Sequence, residues 1–170
     1  MIRLITIMIH NIRRNNSTIF NTDKLISLFD CIFDHFIWRE TTFISLRQKI
    51  FSALDHDYME GITLLGGEPM EPENQAGLLP FLKELKKRFP QKTIWCFSGY
   101  DFEKDILGRM MKESEVTREL VPLLDVLVDG KFVEDLKNLS LKFRGSENQR
   151  ILDVARSLAA GNAVWMEQYR

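Results

Sequence analysis

The first 50 residues contain no glycine, proline, alanine or valine, and only four acidic residues: Asp23, Asp30, Asp34 and Glu40. Tight turns are built mainly from Gly, Pro, Asn, Asp and Ser, so this stretch is short of turn chemistry. It holds 11 of the 15 isoleucines. Gly, Ala, Val, Asp and Glu together make 4 of its 50 residues but 42 of the 120 that follow. These are the amino acids whose codons begin with G. A fall of that size is what reading an AT-rich gene in the wrong frame produces; the alternative is a genuine Ile-rich extension. We therefore separate an atypical N-terminal segment, residues 1–45, from residues 46–170.

Other absences narrow the class. Two cysteines, Cys31 and Cys96, exclude a disulfide framework and favour a cytoplasmic protein. A net charge of −1 leaves no basic footprint for nucleic acid. No apolar run reaches the 18 or more residues of a membrane span, so no membrane partner is expected. The start, Met1 to His10, has no small-residue cleavage site and is not read as a signal peptide. There is no internal repeat and no low-complexity linker. The 170 residues, 45% of them hydrophobic, are enough for one soluble domain.

What is present becomes regular from about Leu46. Leu46, Ile50 and Leu54, with Phe51, form a helical stripe that ends at Asp55-His56-Asp57. Residues 61–65 read as a buried strand that breaks at Gly66-Gly67-Glu68-Pro69. Residues 77–88 read as an amphipathic helix with Leu78, Leu79, Leu82 and Leu85 inward, and with Pro80 in its first turn. Strands follow at 93–97 and 125–128, the first breaking at Ser98-Gly99-Tyr100 and the second at Asp129-Gly130-Lys131. Helical segments at 102–111 and 116–124 lie between them, and a last strand is placed near 163–166. Within the N-terminal segment, 2–9 suits a strand and 23–38 a helix. Alternating strands and helices imply parallel strands with right-handed crossovers. The three Gly-containing loops then share the rim where α/β folds bind ligands.

The paired glycines allow φ > 0 and close approach of a ligand to the backbone. Such a loop can hold a cationic amino group or be an ordinary turn. Four motifs stand in order: Gly61 to Gln75, Ile94 to Tyr100, Asp125 to Phe132 and Leu139 to Arg150. Together they resemble the radical S-adenosylmethionine enzymes and, more narrowly, the activating proteins of the anaerobic ribonucleoside-triphosphate reductase. The resemblance covers about residues 46–158. It implies a partial (β/α) barrel of parallel strands of the radical S-adenosylmethionine type, holding a 4Fe-4S cluster and S-adenosylmethionine. The implied activity is generation of a glycyl radical on the large subunit of the reductase, with an electron donor such as flavodoxin. It places Gly66, Gly67, Glu68 and Pro69 in the loop that receives the cofactor's amino group, with Ser98 and Asp129 as further cofactor-binding candidates.

The departure lies at the cluster. The family pattern Cys-x3-Cys-x2-Cys, which supplies thiolates to iron, is absent. Cys31 is a lone candidate in that region, and Cys96 falls mid-strand, where a small buried hydrophobe is the ordinary role. The expectation is a chain that is inactive as written, with no catalytic residue identified. The alternative is a cluster-less homologue acting as a binding or regulatory module for the reductase. Cys31 and His35, at i and i+4, could share a metal, but two ligands do not make a site. Asp55-His56-Asp57 reads as a solvated turn. Asp129 is either a cofactor contact or a turn residue. Arg144 and Asn148 belong either to a structural network or to a partner surface.

Overall fold

The computed structural model describes the backbone of residues 6–10 and 40–169, with side chains for Ile7 and 47–169. Strand β1 (Thr6–His10) is followed by helix α1 (Glu40–Leu54), β2 (Gly61–Leu65), α2 (Pro72–Arg88) and β3 (Thr93–Phe97). A π-helical segment (Phe102–Met110) runs into α3 (Met111–Glu113), then come α4 (Glu115–Leu120) and β4 (Val126–Asp129). Then follow β5 (Arg150–Asp153), α5 (Val154–Ala160) and a short 3-10 turn (Glu167–Tyr169). The expected helix at 23–38, with Cys31 and His35, lies outside the described residues. Of the expected strand at 2–9, residues 6–10 are described and form β1. Helix α1 runs across the expected boundary at 45/46.

The strands form one open sheet in the order β1-β2-β3-β4-β5. The central pairs β2-β3 and β3-β4 are parallel, whereas β1 and β5 join the edges antiparallel. The α/β class holds, but the sheet is mixed and not closed. The expected strand near 163–166 is instead one isolated bridge, Leu152 to Trp165. The strand in that region is β5, built on Ile151 and Leu152, both fully buried. It returns antiparallel because the chain between 130 and 149 folds back on the end of β4 instead of crossing over through a helix.

The central strands are buried on both faces, as parallel strands usually are. Ile62, Leu64, Ile94, Cys96, Leu127 and Leu152 face the helices and join Leu54, Leu82, Leu85, Phe102 and Ile106 in the main core. On the other face Trp95, Val126, Val128 and Ile151 are covered by Phe143, Met166 and Tyr169. Gly61 sits opposite Thr93, where an added Cβ would lie 1.9 Å from the Thr93 carbonyl oxygen. Only glycine permits that approach of β2 to β3.

Helix α2 begins at Pro72, earlier than its leucine stripe suggests, because Asn74 and Gln75 in its first turn are buried. Pro72 needs no N–H partner there, while Lys86, Lys87 and Arg88 complement the dipole at the other end. Pro80 is therefore inside the helix and not in its first turn, on the exposed side where the lost hydrogen bond faces water. The segment expected as a helix at 102–111 is wound more loosely than an α-helix. The Ile106 N–H reaches back five residues to the Asp101 carbonyl. A Cβ on Gly108 would stand 2.7 Å from the Glu103 carbonyl oxygen, five residues back.

Candidate functional site

Because β2, β3 and β4 are parallel, the loops that follow them leave the sheet at one rim. Three successive residues of the first loop are left-handed: Gly66 (φ 66°), Gly67 (φ 58°) and Glu68 (φ 56°). Glycine takes this conformation freely, but Glu68 holds it against a steric cost of about 1 kcal/mol. Buried side chains at the start of α2 fix the loop from behind. The Asn74 amide donates to the carbonyls of Gly67 (2.8 Å) and Glu68 (2.9 Å). Gln75 donates to the Met70 carbonyl (2.6 Å) and accepts from Thr117 of α4 (2.6 Å). Pro69 is buried and stiffens the turn between them.

The second loop is clasped to the first through Glu68. Its Oε1 accepts from the Met70 N–H (3.0 Å) and the Ser98 hydroxyl (2.7 Å), and its Oε2 from the Gly99 N–H (2.8 Å). A second tie runs outside this one, where the Tyr100 hydroxyl donates to Glu71 (2.7 Å). That bond, with some desolvation, pushes the Tyr100 phenol up to about 12. Gly66, Gly67, Glu68, Pro69 and Ser98 are thus brought together. The Glu71–Tyr100 tie and the Asn74–Gln75 support were not among the expected site residues. Their only sequence signal was polar residues at the entry to a helix.

The third loop joins by a different route. The Gly130 N–H donates to the Tyr100 carbonyl (3.2 Å). Asp129, at 0% exposure, accepts from the Phe102 N–H (2.9 Å) and is ion-paired to Arg150. The same guanidinium binds Glu103 (2.7 Å) and reaches Asp101 at 3.4 Å. Hydrogen bonding to Asp129 first, against desolvation, holds the Arg150 guanidinium firmly charged. These carboxylates form the one three-residue group of metal-ligand type among the described residues. A cation already lies among them, so the group reads as an ion-pair network that locks β4, β5 and the π-helical segment together.

The network predicts a pH dependence. Partial desolvation works against the Glu103 carboxylate, but hydrogen bonds from Arg150 and the Ala163 N–H outweigh it and hold its pKa below the ordinary 4.5. A pKa lower in the folded than in the unfolded chain gives stability that is present above the ordinary value and lost as pH falls through the folded value. Urea titrations between pH 6 and 3 are expected to show a steeper loss below about 4.5 for the native sequence than for Glu103→Gln.

Arg144 and Asn148 belong to a structural network. Arg144 donates to the carbonyls of Glu147 (3.1 Å) and Gln149 (2.7 Å), and Asn148 to that of Lys131 (2.8 Å). Gln149 completes it, accepting from the Gly145 N–H (2.9 Å) and donating to the Gly130 carbonyl (3.1 Å). Asp55-His56-Asp57 is an exposed turn in which His56 stacks on Tyr58.

A family model described as "4Fe-4S single cluster domain" matches residues 33–152. The chain belongs to this family. Relatives within reach carry one name, anaerobic ribonucleoside-triphosphate reductase-activating protein. The Pasteurella multocida protein is 42% identical over 92 residues, 54% of each chain. That of Escherichia coli K12 is 40% identical over 90 residues, 53% of each. The enterobacteria phage T4 protein is 36% identical over 104 residues, 61% of this chain and 60% of its own. The chain thus spans little more than half the length of the curated relatives it matches. No solved structure matches it.

The family implies a 4Fe-4S cluster and S-adenosylmethionine, and the two fare differently against the residues present. A cluster of this kind is held by thiolates. The chain has two cysteines. Cys31 lies outside the described residues, and Cys96 is fully buried mid-strand in β3, its thiol pushed up by desolvation and by Glu68. The donor set does not fit a cluster of the family's kind. The amino-acid end of S-adenosylmethionine does fit the rim by the chemistry of its donors and acceptors. The two glycines of the left-handed loop let a ligand approach the backbone closely, and the Glu68 carboxylate stands beside them.

Among the described residues no helix is long and apolar enough to cross a membrane.

Proposed function

We propose that residues 46–170 are the S-adenosylmethionine-binding part of an activase for the anaerobic ribonucleoside-triphosphate reductase, working in the cytoplasm. In this reading the central parallel strands are the middle of a partial barrel of the radical S-adenosylmethionine type. The chain as it stands keeps the binding rim and lacks the thiolates for the cluster. The observation that carries the reading is the clasp of Glu68 on Ser98 and Gly99, in a strained left-handed residue between two loops of one rim. Strain retained at a polar loop is a mark of binding sites. Gly66, Gly67 and Pro69 shape the loop, Ser98 holds the Glu68 carboxylate, and Asp129 anchors the end of β4 instead of facing the ligand. The relatives' shared name supplies the partner, the reductase. An electron donor such as flavodoxin would serve only a chain that carries the cluster.

The test is anaerobic reconstitution of the purified chain with iron and sulfide, followed by iron analysis and titration with S-adenosylmethionine. The expected result is cofactor binding without a four-iron cluster and without cofactor cleavage. About four irons per chain, with cleavage, would overturn it. Translation of the gene in all frames upstream of Leu46 separates the two origins of residues 1–45. A Cys-x3-Cys-x2-Cys in another frame marks a frameshift, whereas its absence marks a genuine extension.

One observation favours the second reading, a cluster-less module that binds the reductase. Four of the five exposed large hydrophobics among the described residues, Phe132, Val133, Leu136 and Leu139, lie in one stretch beyond β4. Capture of the reductase large subunit by the native chain and by Glu68→Ala alike would support this reading; absence of capture would end it.

A further inference from the structure

The large apolar side chains that the described residues leave in water are concentrated in one loop. Four of the five, Phe132, Val133, Leu136 and Leu139, fall within the stretch 132–139 that follows β4, and Leu139 is 91% exposed. Apolar residues scattered singly over a surface need no account, but a concentrated group marks an interaction site. The loop is also held in shape from beneath. The Val133 N–H donates to Ser146 Oγ (3.3 Å), the Asn138 N–H to the Gly145 carbonyl (3.2 Å) and the Glu147 N–H to the Leu136 carbonyl (2.9 Å). Ser146 is fully buried, and a Cβ on Gly145 would stand 3.0 Å from the Phe132 ring, so the ring lies close against the backbone there. Ordering a loop costs conformational entropy. Order kept around apolar side chains that the core does not use prepares them for a partner.

The setting selects among occupants. Glu134 and Asp135 stand exposed between Val133 and Leu136, and carboxylates in the middle of the apolar group oppose insertion into a lipid surface. Lys131, Lys137 and Lys142 flank them, so the loop carries both signs of charge, unlike the basic stripe that nucleic acid selects. An apolar centre with a polar border of mixed charge is the composition of a protein–protein contact. The loop is also continuous with the proposed ligand rim. Phe132 follows closely on Gly130, whose N–H donates to the carbonyl of Tyr100 in the second rim loop (3.2 Å). A protein docked here is held beside that rim.

We infer that residues 132–139 are a preformed docking surface for an apolar segment of a partner protein, the large subunit of the reductase. The inference rests on the proposed binding of the reductase and gives it a place: the loop after β4, beside the rim and apart from Glu68. The competing occupants of an apolar loop are a second copy of this chain, a lipid surface and a segment of the chain itself.

Titration of the full chain against the purified large subunit of the reductase, followed by biolayer interferometry, tests this. The native chain is expected to bind, and the double variant Leu136→Asp with Leu139→Asp to bind at least about ten-fold more weakly. Both side chains are exposed, so thermal unfolding of the variant should match that of the native chain. In the unaltered protein, amide hydrogen exchange across 131–141 should slow when the large subunit is added, a readout that needs no variant. Equal affinity of the native and variant chains would overturn the inference and leave the partnership standing, and so would unchanged exchange across the loop. No binding by the native chain would remove the partnership, and this inference with it. Three further results would overturn it by naming another occupant. A native dimer that the variant breaks would assign the surface to a second copy, and sedimentation with phosphatidylglycerol vesicles would assign it to lipid. A loss of thermal stability in the variant would place a segment of the chain itself on the loop.

Discussion

Replacing Arg150 with methionine is expected to lower folding stability by about 3–5 kcal/mol, the usual result of leaving a buried charge without its partner. The Asp129 side chain is 1% exposed, and among the described residues Arg150 is the cation paired with it. Methionine keeps much of the side chain's packing volume, so the loss reports mainly on the charge. The Phe102 N–H would still bond to Asp129, but one neutral donor does not offset a buried carboxylate. The double variant Asp129→Asn with Arg150→Met should recover a large part of the loss, because no uncompensated charge then remains. Urea unfolding at pH 7 measures both. A loss below about 1 kcal/mol in the single variant would place Arg150 with ordinary surface ion pairs.

Glu68 gives the second large effect. Glu68→Ala removes the acceptor for Met70 N–H, Ser98 Oγ and Gly99 N–H and still leaves a residue with a Cβ at φ 56°. A stability loss of about 2–3 kcal/mol is expected from the three bonds. Glu68→Gly loses the same bonds but relieves the left-handed strain, so it should be about 1 kcal/mol more stable than the alanine variant. The order glycine above alanine is the diagnostic part. Were the two equally destabilised, the left-handed conformation would not be stored strain. Both variants should also weaken binding of S-adenosylmethionine, since the clasp sets the distance between the first two loops. A measured affinity equal to that of the native chain would separate the clasp from the ligand.

The central sheet was legible because its strands announce themselves locally. Residues 62–65, apart from Thr63, and residues 94–97 and 126–128 are apolar runs, each followed by a glycine-bearing polar loop. Once those strands are parallel, their common direction puts Glu68 and Ser98 at one rim. Strand β5 was not legible. Its four residues begin and end with charge, and their partner is chosen by Gln149 reaching Gly130 across the returning loop. The loose winding after Asp101 leaves no mark in composition, and Gly108 alone reads as an ordinary weak point in a helix. Asp129 carried two readings because its neutralising partner lies 21 positions further on. Asn74 and Gln75 were hidden for the opposite reason: polar residues at a helix start normally face water, and here they face inward to hold a loop.

The placement of Cys96 has a use apart from iron chemistry. It lies in β3, the middle strand of five, with no exposed surface and a thiol that stays protonated well into alkaline solution. A thiol in that state is protected from alkylating reagents until the sheet itself opens. In a Cys31→Ser background the labelling rate of Cys96 therefore becomes a clock for opening of the central sheet. It reads on the native protein, without denaturant, how often the strands that carry the rim come apart.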